Sequence, residues 1–458
     1  MALFQVLCCL VNNIFNGVIK IASENYLSCS CKLYGSSFNK NSAKKATAIN
    51  KLNTKSAGVK RYLFVISIIV STIWNLWVIS SCRSNHSAEP EPSREIPLPA
   101  VTDDGLEVAS LNSVGMDAVK LSQLLDRLDQ ISEHRIHSIL IVKDDKLVFE
   151  KYYSGLKFNL GQYTSGTGYD LNDLHVLCSA TKSICSALLG IAIDQGFIRS
   201  IEQKVFDFFP EYVDLLNQTP SKANLTIKHL LTMTSGLTYD DESLPYTDSR
   251  NDMNRFYSSN DPMRFLLALP FYAEPGTIFD YDNCNTNILG QIIARATGDR
   301  LDVFAKEQLF DQLEIGQYQW QFVRENIILT SGDLHLRPRD MAKFGLLFLH
   351  RGEWHGKSII SSEWCDLSTS MYLNPNHYTS EFQIADGYGF QWWQKRYVYN
   401  SKSYHSYFAW GWGGQLIIII SDLNLVIVIT AGNWYDAEKI SPFFIVADYI
   451  IPSIKVIS

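Results

Sequence analysis

Residues Leu177–Gly190 read LCSATKSICSALLG. Ser179 and Lys182, three residues apart, open an apolar run long enough for a buried helix. On a helix such residues share a face, so the lysine amine can reach the serine hydroxyl. A serine hydroxyl attacks only when a base takes its proton, and lysine serves as that base only when burial or a neighbouring cation lowers its pKa from about 10.4. Leu177, Ile184, Leu188 and Leu189 supply apolar surroundings. The same spacing recurs at Ser37 with Lys40 and at Ser42 with Lys45, in a polar, lysine-rich stretch where lysine stays protonated. Spacing alone leaves two readings of Ser179 and Lys182: nucleophile with base, or two polar residues opening a core helix.

Outward from this run, two hairpin patterns frame the chain. HSILIVKDDKLVFEKYY, 137–153, places two apolar segments around Lys143-Asp144-Asp145-Lys146, and QLIIIISDLNLVIVITAGN, 415–433, places two around Ser421-Asp422-Leu423-Asn424. Segments so continuously apolar belong to strands buried on both faces. About 250 residues between them are mostly helical in pattern, including NTNILGQIIARATG and RDMAKFGLLFLHRG. VGMDAVKLSQLLDRLDQI, from Val114, is an amphipathic helix with Leu121, Leu124, Leu125 and Leu128 on one side, and PFFIVADYIIPSI is expected to form the last helix. The predicted fold class is α+β. One antiparallel sheet is drawn from both chain ends and flanked by helices, with a mostly helical subdomain inserted and a cleft where the two meet.

The net charge of -7 over 458 residues conceals a split. Residues 1–61 carry nine Lys/Arg against one acid, Glu24, which leaves -15 for the rest. An acidic body argues against a nucleic-acid partner. After Lys60-Arg61 comes an apolar run, Tyr62–Ile79, of the length that spans a membrane, ending Ile79-Ser80-Ser81-Cys82. That ending resembles the lipobox of bacterial lipoprotein signals, with Cys82 as the lipidated residue; the alternative is an uncleaved anchor. Either way the body is expected outside the cytoplasm, tethered to the membrane. The organisation expected is a basic extension with no assigned role over 1–60, the signal or anchor over 61–82, a Pro/Ser/Glu-rich linker over 83–104 and one folded domain over 105–458. Four cysteines in the body, Cys178, Cys185, Cys284 and Cys365, are too few for a disulfide framework. No histidine spacing suits a metal and no G-x-S-x-G elbow is present, so no metal or other cofactor is expected.

EPGTIFDYDNCNTNILGQIIARATG carries Tyr281-Asp282-Asn283 just ahead of a helical pattern. A Tyr-x-Asn or Ser-Asp-Asn motif accompanies the serine and lysine in serine-lysine acyl transferases. The same triplet spacing at Tyr372-Leu373-Asn374 lacks the leading Pro275-Gly276 turn and the apolar helix beyond. In YFAWGWGGQLIIII, Ala409-Trp410-Gly411 opens the last strand pair where K-T-G or H-x-G is expected. Gly411 lets a substrate backbone approach closely, and the N–H of Trp412 is expected to complete an oxyanion hole with that of Ser179. The aromatic residues Trp392, Trp393, Tyr407, Phe408, Trp410 and Trp412 are either pocket lining or core, and His405 is read as a surface residue.

Ser179-Ala180-Thr181-Lys182, LTIKHLLTMTSGLTY (225–239), PGTIFDYDN, LRPRDMAKFG (336–345) and GWGGQ occur in one order over roughly residues 105–455. In this the body resembles the serine hydrolases that group class C β-lactamases, D-alanyl-D-alanine carboxypeptidases, related esterases and 6-aminohexanoate-dimer hydrolases. The resemblance implies Ser179 as nucleophile, Lys182 and Tyr281 as its acid-base pair, and Asn283 as a substrate contact. The missing third-motif cation resembles the amide-hydrolase and esterase branches. The expected activity is hydrolysis of an ester or amide in a small-molecule or peptide-like substrate. A carboxypeptidase or β-lactamase, and a non-catalytic wall-binding module of the same fold, are the alternatives. The sequence sets no oligomeric state.

Overall fold

In a computed structural model the described residues are 92–159, 162–165, 168–374, 384–434 and 440–455. The extension over 1–60, the apolar segment over 61–82, Cys82 and the start of the linker lie outside them. Residues 89–458 form one compact unit.

Numbering only the strands of the main sheet, these are β1 Glu107–Val108, β2 Ile136–Lys143, β3 Lys146–Tyr152, β4 Gly387–Tyr388, β5 Trp393–Tyr399, β6 Lys402–Gly411, β7 Gln415–Ile420 and β8 Leu425–Ala431. They lie side by side in the order β1-β3-β2-β8-β7-β6-β5-β4. The pairing of β2 with β8 closes one sheet from the two chain ends, as expected. Every pair is antiparallel except β1 with β3 at the edge, which is parallel, so the sheet is mixed there. Asp144 and Asp145 make the two-residue turn between β2 and β3 with φ of 50° and 63°, the left-handed pair that matches strand twist.

Alternate residues of the central strands enter two different cores. Leu140, Val142, Ile417, Ile419, Val426 and Val428 join the cluster holding the inserted helices. Ile139, Ile141, Ile418, Ile420, Ile427 and Ile429 join the cluster of the terminal helices. Burial on both faces is why these strands read as unbroken apolar runs rather than alternating ones.

Helix α1, Ala118–Gln130, starts four residues later than the pattern from Val114 suggested. The Asp117 carboxylate accepts from the Val119 N–H at 2.8 Å and caps it there, while Leu111–Val114 forms a separate tight turn. Its four leucines are all buried, each worth roughly 2 kcal/mol. The C-terminal segment is helical from Pro442 to Ser453 but widens to π geometry over Val446–Ile450, and it packs with α1. On the opposite face lie α2, Thr181–Asp194, α3, Asn283–Thr297, and α4, Pro338–Leu349.

Candidate active site

Ser179 sits in a tight turn, Cys178–Ala180, that leads directly into α2. Cys178 carries a φ of 46°, a left-handed conformation that costs a non-glycine residue energy and turns the chain sharply into the serine. The turn is held from both sides: Leu177 N–H donates to the Leu334 carbonyl at 2.8 Å, and Ala180 N–H to the Leu177 carbonyl at 3.1 Å. Ser179 remains partly accessible while its neighbours are buried.

The Lys182 side chain is 1% exposed. Its amine contacts Ser179 Oγ at 2.9 Å, Asn283 Oδ1 at 2.7 Å and the Ser331 carbonyl at 2.9 Å. Burial pulls its pKa down to about 8, against the opposing pull of Asp241 and Asp282. The amine also lies 4.9 Å from the centre of the half-buried Tyr281 ring. Burial holds the Tyr281 phenol above its ordinary range, partly offset by its hydrogen bond with Ser179. Ser179, Lys182, Tyr281 and Asn283 are thus brought together, as the sequence predicted.

Three elements are locked around them. Asp282 caps α3, accepting from the Asn285 N–H at 3.0 Å, and burial pushes its carboxyl up to about 7. The segment bearing Ser331 is tied to α3 through Thr330 Oγ1 donating to the Thr286 carbonyl at 2.7 Å and Ser331 N–H donating to Asn287 Oδ1 at 3.2 Å. Gln391, fully buried, accepts from Thr286 Oγ1 at 2.7 Å and donates to the Leu230 carbonyl at 3.1 Å, while its own carbonyl accepts from Ser183 Oγ. Within LTIKHLLTMTSGLTY the helix is Ile227–Leu231, and Met233 turns left-handed at φ 55°.

The strand end predicted to complete the site packs against the serine turn. A Cβ added at Gly411 would meet the Leu177 carbonyl oxygen at 2.0 Å, so only glycine allows β6 to lie this close. Trp412 stands 42% exposed with its ring 5.3 Å from that of Trp434. The aromatic cluster divides. Trp392, Trp393 and Phe408 are core, whereas Trp410 is half-buried and lies 5.5 Å from Trp393, which lies 5.2 Å from Tyr281. His405 is exposed on β6, six residues from Gly411.

Two contributors carry little or no signal in the residue motifs. Ser331 acts through its backbone carbonyl, which any residue supplies. Asp241, 6% exposed, accepts from Asn283 Nδ2 and lies just past the family-like segment ending at Tyr239. The chain also holds an S-x-x-K at Ser154 and Lys157, whose lysine is paired with Asp173 instead. Lys222 is buried with a pKa lowered to about 8 but donates to the Leu269 carbonyl, so burial alone does not make a base. The four described cysteines are buried and free, and among the described residues no group of His, Cys, Asp or Glu is arranged to hold a metal ion.

A partly accessible serine paired with a buried lysine at the head of a helix, set against the edge of such a sheet, defines a serine-type hydrolase of the β-lactamase and penicillin-binding fold. The sequence model described as Beta-lactamase matches residues 123–440, and the chain belongs to that family. It is 24% identical over 293 residues to a 6-aminohexanoate-dimer hydrolase of Paenarthrobacter ureafaciens, covering 61% of this chain and 69% of that one. It is 30% identical over 187 residues to protein flp of Staphylococcus aureus (strain COL), a match covering 37% of this chain and only 33% of that protein. A crystal structure of a family VIII carboxylesterase shares the fold with a TM-score of 0.55 at 16% identity, covering 74% of this chain and 98% of that one.

Proposed function

We propose that this hydrolase cleaves an ester or amide through an acyl-enzyme on Ser179. The observation that carries the reading is the set of three oxygens around Lys182 Nζ. Two of them, Asn283 Oδ1 and the Ser331 carbonyl, have no proton to give, so a neutral amine donates its two N–H groups to them. Its lone pair is then left facing Ser179 Oγ, which does have a proton to give. With a pKa near 8, about a tenth of the lysine is neutral at pH 7.

Lys182 takes the Ser179 proton as Oγ attacks the carbonyl carbon. Tyr281, held as a neutral phenol, protonates the departing alkoxide or amine and recovers its proton from Lys182. The N–H groups of Ser179 and Trp412 receive the oxyanion, and the loss of one such donor costs about 3 kcal/mol of barrier. Water activated by the same pair then cleaves the acyl-Ser179 ester and releases the acid.

Substrates without a carboxylate beside the scissile bond fit best. The charges acting on both Lys182 and Tyr281 are those of Asp241, Asp282 and Glu242, all acidic, and the third-motif position holds buried Ala409. A panel of p-nitrophenyl esters, nitrocefin and D-Ala-D-Ala peptides separates the readings, with the esters expected to show the highest kcat/KM. Preference for nitrocefin or the peptides would replace this reading by a β-lactamase or carboxypeptidase. The reading includes a membrane tether, either a lipid on Cys82 after cleavage of the segment before it or Tyr62–Ile79 kept as an uncleaved anchor; an intact mass from the membrane fraction without a lipid at Cys82 would remove the lipoprotein form.

A further inference from the structure

Which end of the Asn283 amide faces Lys182 decides what the lysine can do. A carbonyl there accepts an amine proton and leaves the lone pair for Ser179; an NH2 group there competes with Ser179 as a donor. The amide is set by what lies on its far side. That is Asp241, whose carboxylate accepts from Asn283 Nδ2 while Asn283 Oδ1 accepts from Lys182 at 2.7 Å.

Asp241 is itself held in place. Asn251, fully buried, donates through Nδ2 to the Asp241 carbonyl at 2.9 Å and to the Leu244 carbonyl at 2.8 Å. The neighbouring Asp240 exchanges backbone and side-chain hydrogen bonds with Asp252: its N–H donates to Asp252 Oδ2 at 2.9 Å, and its carbonyl accepts from the Asp252 N–H at 3.0 Å. Both ends of the loop are therefore pinned before the carboxylate reaches Asn283.

We infer that Asp241 is a positioning residue for the acylation step, fixing the Asn283 carbonyl toward Lys182 so that the amine's lone pair is reserved for Ser179. The inference rests on the hydrolase reading above. Around Lys182 the polar and charged groups are Ser179 and Cys178 from its own turn, Tyr281, Asp282 and Asn283 from the entry to α3, Asp241 and Glu242 from the loop, and the Ser331 carbonyl. Asp241 faces Asn283, Lys182 and Asp240, with Tyr239 and Tyr246 nearby. It acts in two separable ways: its hydrogen bond orients the amide, and its negative charge favours protonated Lys182.

Two variants separate these effects. Asp241→Asn keeps an acceptor for Asn283 Nδ2 but removes the charge, so the rising limb of the pH profile is expected to move to lower pH with kcat largely kept. Asp241→Leu removes both, and kcat should fall by about 10- to 100-fold with KM nearly unchanged. On an Asn283→Ala background, Asp241→Leu should cost little more, because the group it orients is gone. Titration of Lys182 by NMR in protein carrying 13C-labelled lysine, with Lys182→Ala assigning the signal, gives a readout that needs no turnover; its pKa should fall in Asp241→Asn. Folded variants with an unchanged Lys182 titration, or equal losses on both backgrounds, would overturn the inference. If the wild-type protein turns nothing over, the hydrolase reading falls, and the titration then decides by itself: a larger fall in the Lys182 pKa in Asp241→Leu than in Asp241→Asn reports the lost amide orientation, and equal falls would overturn the inference.

Discussion

At the scale of single residues, the proposed chemistry turns on one lysine. Burial lowers the Lys182 pKa, so the neutral, proton-accepting form is reached at lower pH than in an exposed lysine. We therefore expect kcat/KM to rise about tenfold per pH unit below an apparent pKa near 8 and to level above it. A profile flat from pH 6 to 9 would rule out Lys182 as the base. Lys182→Met preserves the stem and removes the base, and should lower kcat by about 10²- to 10⁴-fold; it also leaves Asn283 Oδ1 and the Ser331 carbonyl without their donor, so a stability cost of about 1–3 kcal/mol in urea unfolding is expected beside it. Gly411→Ala forces a methyl into the Leu177 carbonyl and so displaces the Ser179 turn; a loss of kcat with the fold retained is the outcome to look for in kinetics and circular dichroism. Ser179 with Lys182, and Tyr281 with Asn283, were legible in the sequence because each pair forms a short motif of side chains. Ser331 was not, since a carbonyl leaves no mark on residue type. Asp241 was not, since it belongs to no such motif and only the fold brings it to Asn283.

At the scale of elements, LRPRDMAKFG proves to be a fastening rather than a site. Arg339, 1% exposed, holds Glu150 on β3 through two hydrogen bonds and Asp104 through a third at 3.1 Å, while Arg337 pairs with Asp340. Glu150→Ala strands a buried guanidinium and should cost about 3–5 kcal/mol in urea unfolding; a cost under 1 kcal/mol would show that Asp104 and water suffice. Hairpins and helices were legible from periodicity, since two buried sheet faces leave strands uniformly apolar and one buried stripe marks α1. Where helices begin and end was less so. Asp117 outcompetes the apolar spacing that begins at Val114, and the C-terminal helix widens to π geometry over Val446–Ile450. At Gly236, with φ 72°, a Cβ would strike the Ala273 carbonyl oxygen, so the glycine admits a neighbouring backbone.

For the whole molecule, stability is linked to pH through a pair of histidines, His137 and His175, that only the fold brings together. His175 Nδ1 donates to the Val176 carbonyl at 2.9 Å, and its Nε2 lies 2.8 Å from His137 Nδ1. Burial lowers the His175 pKa to about 4 and that of His137 further, which keeps both rings neutral at pH 7 with His137 Nδ1 donating to His175 Nε2. Below the ordinary histidine pKa of about 6.5 the unfolded chain binds protons that the folded one refuses, so stability is lost as pH falls. Each ring contributes up to about 1.4 kcal/mol per pH unit, and the urea midpoint should drop between pH 7 and pH 5. An unchanged midpoint would mean that the pair is protonated in the fold. The sheet and helices that bury these histidines also carry the serine turn, the Tyr281 loop and the β6 edge to one place, and that convergence is the central claim. A fluorophosphonate probe followed by peptide mapping tests it most directly. One adduct is expected, on Ser179 and absent in Ser179→Ala; an adduct on another residue, or none on folded wild-type protein, would show that these elements do not assemble a serine nucleophile.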